Sequence, residues 1–140
     1  MATIIGFDYG INKIGVAVGN TITCSATPLG IIKSKNQIPN WDEITKLIED
    51  WRPKLIVVGQ PILDNYDDFI IKKAKSFAEE LHLKFKINYE LTDESYSSIE
   101  AYGQYKELRQ SGFKKLNNID HLAAKIILER WLIHNKDYSF

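Results

Sequence analysis

The sequence predicts an α/β domain in which a mixed sheet lies between layers of helices. Three observations carry that expectation. Apolar strands follow one another at the start of the chain, helical and strand patterns alternate after residue 40, and Leu55-Ile56-Val57-Val58-Gly59 is apolar without a break. A strand with no polar alternation is covered on both faces, as in a parallel sheet flanked by helices. The order βββαβαβαα then gives an antiparallel meander followed by parallel crossovers.

Residues 3–8 and 14–19 form the first two strands, and Ala26–Ile32 a third with Pro28 near its start. Asn40 opens a helix with Glu43 three residues later, the pattern of a capping box. Trp41, Ile44, Leu47, Ile48 and Trp51 recur at helical spacing and are expected to face the core. Pro53 ends this helix by removing a donor and disfavouring helical geometry at Arg52. Phe69, Ile70, Ala74, Phe77, Ala78 and Leu81 line a second helix, and Phe85–Leu91 alternates as a half-covered strand should. Ser97 and Glu100 repeat the capping-box pattern for a helix to about Gln110, stopping before Gly112. Asn118 caps a last helix that carries Leu122, Ala123, Ile126, Ile127 and Trp131 inward. With no repeat, linker or low-complexity tract, residues 1–140 read as a single domain.

Apolar residues make up 44% of the chain and charged residues 26%, with a formal net charge of zero. That balance is globular, and nucleic-acid binding would have to rest on a local patch rather than a global basic field. The single Cys24 excludes an internal disulfide and a multi-cysteine metal site. No segment reads as a membrane span or a signal peptide, so the expectation is a cytoplasmic protein.

Acidic residues stand at element ends rather than on solvated faces. Asp8 closes the first strand, Asp93 and Glu94 close the last, and Asp120 lies in the first turn of the last helix. A carboxylate on a buried strand is costly unless it is paired or bound to a metal. Gly10, just after Asp8, permits a turn with φ > 0 and leaves room beside the acid. The same residues also fit a β-hairpin in which Asp8 bonds nearby backbone N–H groups, and Asp120 fits a helix-dipole partner. In an open α/β sheet the ligand crevice lies at the carboxyl ends of the strands. Alternation puts Glu90 and Glu94 on one face and Asp93 on the other, which leaves open whether Asp93 or Glu94 is the inward acid. Lys106, Arg109, Lys114 and Lys115 mix with Tyr102, Tyr105 and Phe113, a composition that suits phosphate contact and base stacking.

Four segments together resemble the YqgF/RuvX family of RNase H-like proteins, described as Holliday junction resolvases and as pre-16S rRNA nucleases. Gly6-Phe7-Asp8-Tyr9-Gly10, with Lys13-Ile14-Gly15-Val16-Ala17, looks like the family's opening. Val57-Val58-Gly59-Gln60-Pro61 resembles its VVGLP strand end. Asp93-Glu94-Ser95-Tyr96-Ser97-Ser98 stands where the family reads DERLTT, and Asp120-His121-Leu122-Ala123-Ala124-Lys125-Ile126-Ile127-Leu128 resembles its closing helix. The resemblance implies an RNase H-like three-layer fold with a mixed five-stranded sheet. It further implies Asp8, Glu94 and Asp120 as the catalytic, metal-binding acids, and their oxygen donors suit Mg²⁺ or Mn²⁺. Lys13 is expected to hold a phosphate near Asp8, and Lys106, Arg109, Lys114 and Lys115 are expected from their composition to bind the substrate backbone.

The expected activity is hydrolysis of structured nucleic acid, most of all pre-rRNA in 5′ maturation of 16S rRNA, with ribosomal precursor particles as partners. Branched DNA is the alternative substrate, and a non-catalytic RNA-binding assembly factor the alternative role. Two departures weaken the grip on a polyanion. The family's first arginine is Lys13, which keeps charge but loses the bidentate fork, and its arginine after the acid pair is Ser95. Asp64, Asp67 and Asp68 add negative charge after Pro61.

Overall fold

Alternation along the strands assigns the apolar side chains to two opposite faces, and each face acquires its own helical layer. A computed structural model of the chain describes residues 2–60, 68–93 and 118–138. The strands are β1 (Thr3–Asp8), β2 (Lys13–Asn20), β3 (Ala26–Lys35), β4 (Ile38–Pro39), β5 (Leu55–Gln60) and β6 (Asn88–Asp93). The helices among the described residues are α1 (Trp41–Trp51), α2 (Asp68–Phe85) and α3 (Asn118–His134). Among the described residues the sheet has six strands, in the order β4-β3-β2-β1-β5-β6. β1 pairs antiparallel with β2 and parallel with β5, which in turn pairs parallel with β6.

Ile5, Phe7, Ile14, Val16, Ile56 and Val58 are buried on one face, beneath Ile44 and Ile48 of α1 and Ala74, Phe77 and Leu81 of α2. Ile4, Ala17, Leu55 and Val57 are buried on the other, beneath Ala124, Ile127, Leu128, Trp131 and Leu132 of α3. Because β1 and β5 contribute to both clusters, removing either would open both cores.

The N-terminus of α1 forms as its sequence requires. The Asn40 side chain accepts the Glu43 N–H at 3.4 Å, and its amide donates back to the Glu43 carboxylate at 3.1 Å. At the other end Arg52 adopts φ 45 and its N–H reaches the Ile48 carbonyl at 2.8 Å.

Four expectations are corrected. The sheet gains a strand, because β3 runs to Lys35 and turns through Asn36 and Gln37, at φ 51 and 66, into β4. The Ser34 N–H bonds the Asn12 carbonyl at 2.9 Å, so backbone pairing carries the strand beyond its apolar segment. The last strand starts at Asn88 rather than Phe85, since α2 continues through Phe85 and stops at Lys86, φ 55, whose N–H bonds the His82 carbonyl. Trp51 is 42% exposed, because as the last residue of α1 it reaches the rim of the core. Gly10 does not adopt a positive φ; it is needed for space, since a Cβ there would lie 2.6 Å from the Lys13 carbonyl oxygen. The helix expected from Ser97 to Gln110 lies outside the described residues.

Candidate active site

The register of the parallel strands gathers their carboxyl ends. Asp8 stands opposite Gly59 of β5, and Gly59 stands opposite Thr92 of β6. Asp93, the last residue of β6, pairs with Gln60 one step further along the same edge.

Asp8 is half-buried and belongs by alternation with Ile4 and Gly6, the face that α3 covers. Its partner across β2 is Gly15, and its partner across β5 is Gly59. Neither strand beside Asp8 therefore places a side chain next to its carboxylate on that face. A glycine at each flank leaves room for a ligand where larger residues would fill the space.

The direction of α3 follows from two close approaches. A Cβ at Gly6 would meet Leu128 Cβ at 3.0 Å, and one at Gly19 would meet Leu132 Cδ1 at 2.9 Å. Gly19 pairs with Ile4, towards the start of β1. The later residues of α3 thus lie at the start of β1, and its first turn lies at the end where Asp8 stands. The Glu129 carboxylate, which accepts the Ala26 N–H at 3.1 Å, fixes the same orientation. Asp120, the third residue of α3, is accordingly brought to the Asp8 end and face by its backbone. A helix N-terminus there adds positive potential for an anion.

Lys13 is exposed at the start of β2, two residues beyond Gly15, and the Gly10 turn folds directly against its carbonyl. Tyr9, immediately after Asp8, turns to the opposite face and packs on Phe77, ring centroids 5.4 Å apart. Burial raises the Tyr9 hydroxyl above its ordinary pKa, so it stays protonated. Glu90 lies on the Asp8 face by alternation and accepts a hydrogen bond from Tyr138. Burial first, and then the charge and hydrogen bond of Glu90, raise the pKa of Tyr138.

Of the acids expected from sequence, Asp8 and the backbone of Asp120 are brought to one end and one face. Glu94, Lys106, Arg109, Lys114 and Lys115 lie outside the described residues. Among the described residues no group of three or more His, Cys, Asp or Glu side chains forms a cluster. That parallel strands bring Gly59 to the edge where Asp8 stands is legible in the sequence, whereas the pairing of Asp8 with Gly15 was not read from it. His82 Nδ1 lies 3.0 Å from the Ile87 carbonyl and His134 Nδ1 2.8 Å from the Arg130 carbonyl, both in local contacts remote from Asp8.

A mixed sheet with helices on both faces, its inner strand ending in an acid, defines an α/β protein. Two solved structures share that fold. Thermus thermophilus RuvC, in complex with a Holliday junction substrate, aligns over 97% of this chain and 98% of its own with a TM-score of 0.59 and 13% identity. The fowlpox virus resolvase, with substrate Holliday junction DNA, aligns over 94% of this chain and 97% of its own with a TM-score of 0.52 and 15% identity.

The family model described as "RuvX: Holliday junction resolvase" matches residues 2–134. A Legionella pneumophila protein named "Putative pre-16S rRNA nuclease" is 41% identical over 131 residues, covering 91% of this chain and 93% of its own length. A Proteus mirabilis protein of the same name is 40% identical over 132 residues, covering 92% and 94%. The chain belongs to the RuvX (YqgF) family. No helix of the described residues is long and apolar enough to cross a membrane.

Proposed function

We propose that this protein is a metal-dependent nuclease that hydrolyses phosphodiester bonds in structured nucleic acid, with residues 1–140 acting as one domain in the cytoplasm. Its substrate is the precursor of 16S rRNA, met on ribosomal precursor particles and cut in maturation of the 5′ end. The observation that carries this reading is the setting of Asp8. It stands at the carboxyl end of β1, flanked by Gly15 and Gly59, on the face and at the end where α3 begins. The names of the family and its relatives supply the reaction class.

The donor chemistry suits a hard divalent cation. Carboxylate oxygens fit Mg²⁺ or Mn²⁺, which prefer oxygen ligands and retain water. Asp8, Glu94 and Asp120 would hold the ion. Bound there, the metal supplies neutralising charge to the phosphodiester and acidity to water. The chain's own residues do the rest. Asp8 fixes the position of positive charge at the strand end, Gly15 and Gly59 admit the phosphate, and Lys13 holds it. Lys106, Arg109, Lys114 and Lys115 bind the backbone further away.

The test is Asp8→Asn, assayed on a stem-loop RNA carrying a 16S 5′-precursor sequence, with Mg²⁺ and with EDTA. Wild-type cleavage requires the metal, and the variant loses at least about a hundredfold in rate. Its melting temperature holds or rises, since one like charge is removed from the cluster. Wild-type cleavage by Asp8→Asn would overturn the assignment. A second reading, cleavage of a four-way DNA junction, is favoured by the likeness of the fold to junction-bound resolvases. The same assay on a synthetic junction separates the two.

A further inference from the structure

We infer that the hairpin of β3 and β4 is a docking surface for the sugar–phosphate backbone leading away from Asp8, with Lys33 and Lys35 as its phosphate contacts. The inference rests on the nuclease reading and adds to it a surface that sequence reasoning did not find.

Four observations support it. Lys33 stands directly opposite Lys13 across the β2–β3 ladder. Ile31 pairs with Gly15, which pairs with Asp8, so Ile31, Lys33 and Lys35 belong by alternation to the Asp8 face. Lys13, Lys33 and Lys35 are all exposed. Finally, β3 outruns β2 by two residues, and the hairpin it makes with β4 extends past the edge where Asp8 stands.

Two lysines directly opposite on neighbouring strands present their charges together, so one phosphate group can meet both. The hairpin tip is a two-residue turn in which Asn36 and Gln37 both hold a left-handed conformation, at φ 51 and 66, as the favoured turn between antiparallel strands requires.

The spacing suits a polyanion rather than a single ion. With strands about 4.8 Å apart and about 3.4 Å per residue, Lys33 lies about 12 Å from Asp8, two strands across and two residues along. Lys35 lies about 7 Å beyond Lys33 on the same face. A row of cations starting at Lys13 and receding from the acid matches a strand whose cut phosphate sits at Asp8 and whose neighbours follow along β3. Bases are not contacted by this row, so it contributes affinity without sequence preference.

The experiment compares wild type, Lys33→Ala/Lys35→Ala and a control, Lys72→Ala/Lys75→Ala, which removes two exposed lysines from α2. Binding to a labelled stem-loop RNA is measured from 0.05 to 0.5 M KCl, a range chosen for the assay, with EDTA present so that cleavage does not intervene. The hairpin variant's salt slope falls by about two, and its affinity at 0.1 M salt falls roughly 25- to 60-fold. Its melting temperature without RNA stays close to wild type, because both side chains are exposed. The control keeps the wild-type slope. Equal slopes for all three proteins overturn the inference while leaving the nuclease reading intact. An equal loss in control and hairpin variant overturns it too, because net charge alone would then explain the effect. If the wild type binds no RNA but binds a four-way junction, the same three proteins are compared on the junction with the same expected loss. If it binds neither, the inference and the nuclease reading both fail.

Discussion

Replacing Gly10 by alanine tests whether the turn after Asp8 is built on a close backbone approach. A Cβ at this position would lie 2.6 Å from the Lys13 carbonyl oxygen, and ordinary contact begins near 3.4 Å. The turn must open by at least 0.4 Å to escape the clash at 3.0 Å, and by 0.8 Å to reach ordinary contact. The atom met is backbone, so no side chain can swing aside. Overpacking of this kind costs about 1–3 kcal/mol. Alanine returns about 0.4–1 kcal/mol by restricting the unfolded chain, since Gly10 does not hold a positive φ that alanine would resist. The net loss is up to about 2.6 kcal/mol, or up to roughly 10 °C in melting temperature for a domain of this size. Function should suffer more than stability. The turn sets Lys13 against Asp8, and a displacement approaching 1 Å in a reacting constellation costs up to about a hundredfold in rate. Thermal melts by circular dichroism, paired with cleavage of the stem-loop RNA, measure both effects. A variant that melts within a degree of wild type and cleaves at the same rate would refute the reasoning.

Two further predictions follow from local structure. Asn40→Ala removes both halves of the capping box on α1 and should cost about 1 kcal/mol, lowering the melting temperature by a few degrees without altering cleavage; equal stability would show the cap to be unimportant. Tyr9 has a pKa above its unfolded value of 10.0, so its stabilising contribution is complete below about pH 10 and is lost as the pH rises through the folded value. Denaturant melts across pH 8–12, a range chosen for the assay, should therefore fall at the alkaline end for wild type and fall less for Tyr9→Phe.

The sequence exposed the strand end that carries Asp8 better than its surroundings. Asp8 at a strand end and the parallel run of β5 were both legible, because an acid closing an apolar strand and a strand without polar alternation each break an ordinary pattern. The end of α2 was less so. Pro53 marks the end of α1 at Arg52, but α2 stops on Lys86 in a left-handed conformation, and without glycine there the usual stop signal is missing. That is why Phe85 reads as a strand residue while it completes α2. β4 carries one apolar residue and a proline, too little to register as periodicity, and Lys33-Ser34-Lys35 is held in the sheet by backbone pairing. The glycines beside Asp8 were visible as letters, but only the register brings Gly15 and Gly59 to its two sides.

The proposed function requires Asp8, Glu94 and Asp120 to form one metal-binding cluster. Crystals soaked in Mn²⁺, with data collected for anomalous scattering, test it most directly. The account predicts a manganese peak at the carboxyl end of β1, within coordinating distance of the carboxylates of Asp8, Glu94 and Asp120, and no such peak in crystals of Asp8→Asn. Carboxylates pointing to different faces of the sheet, or manganese bound without Asp8, would contradict it.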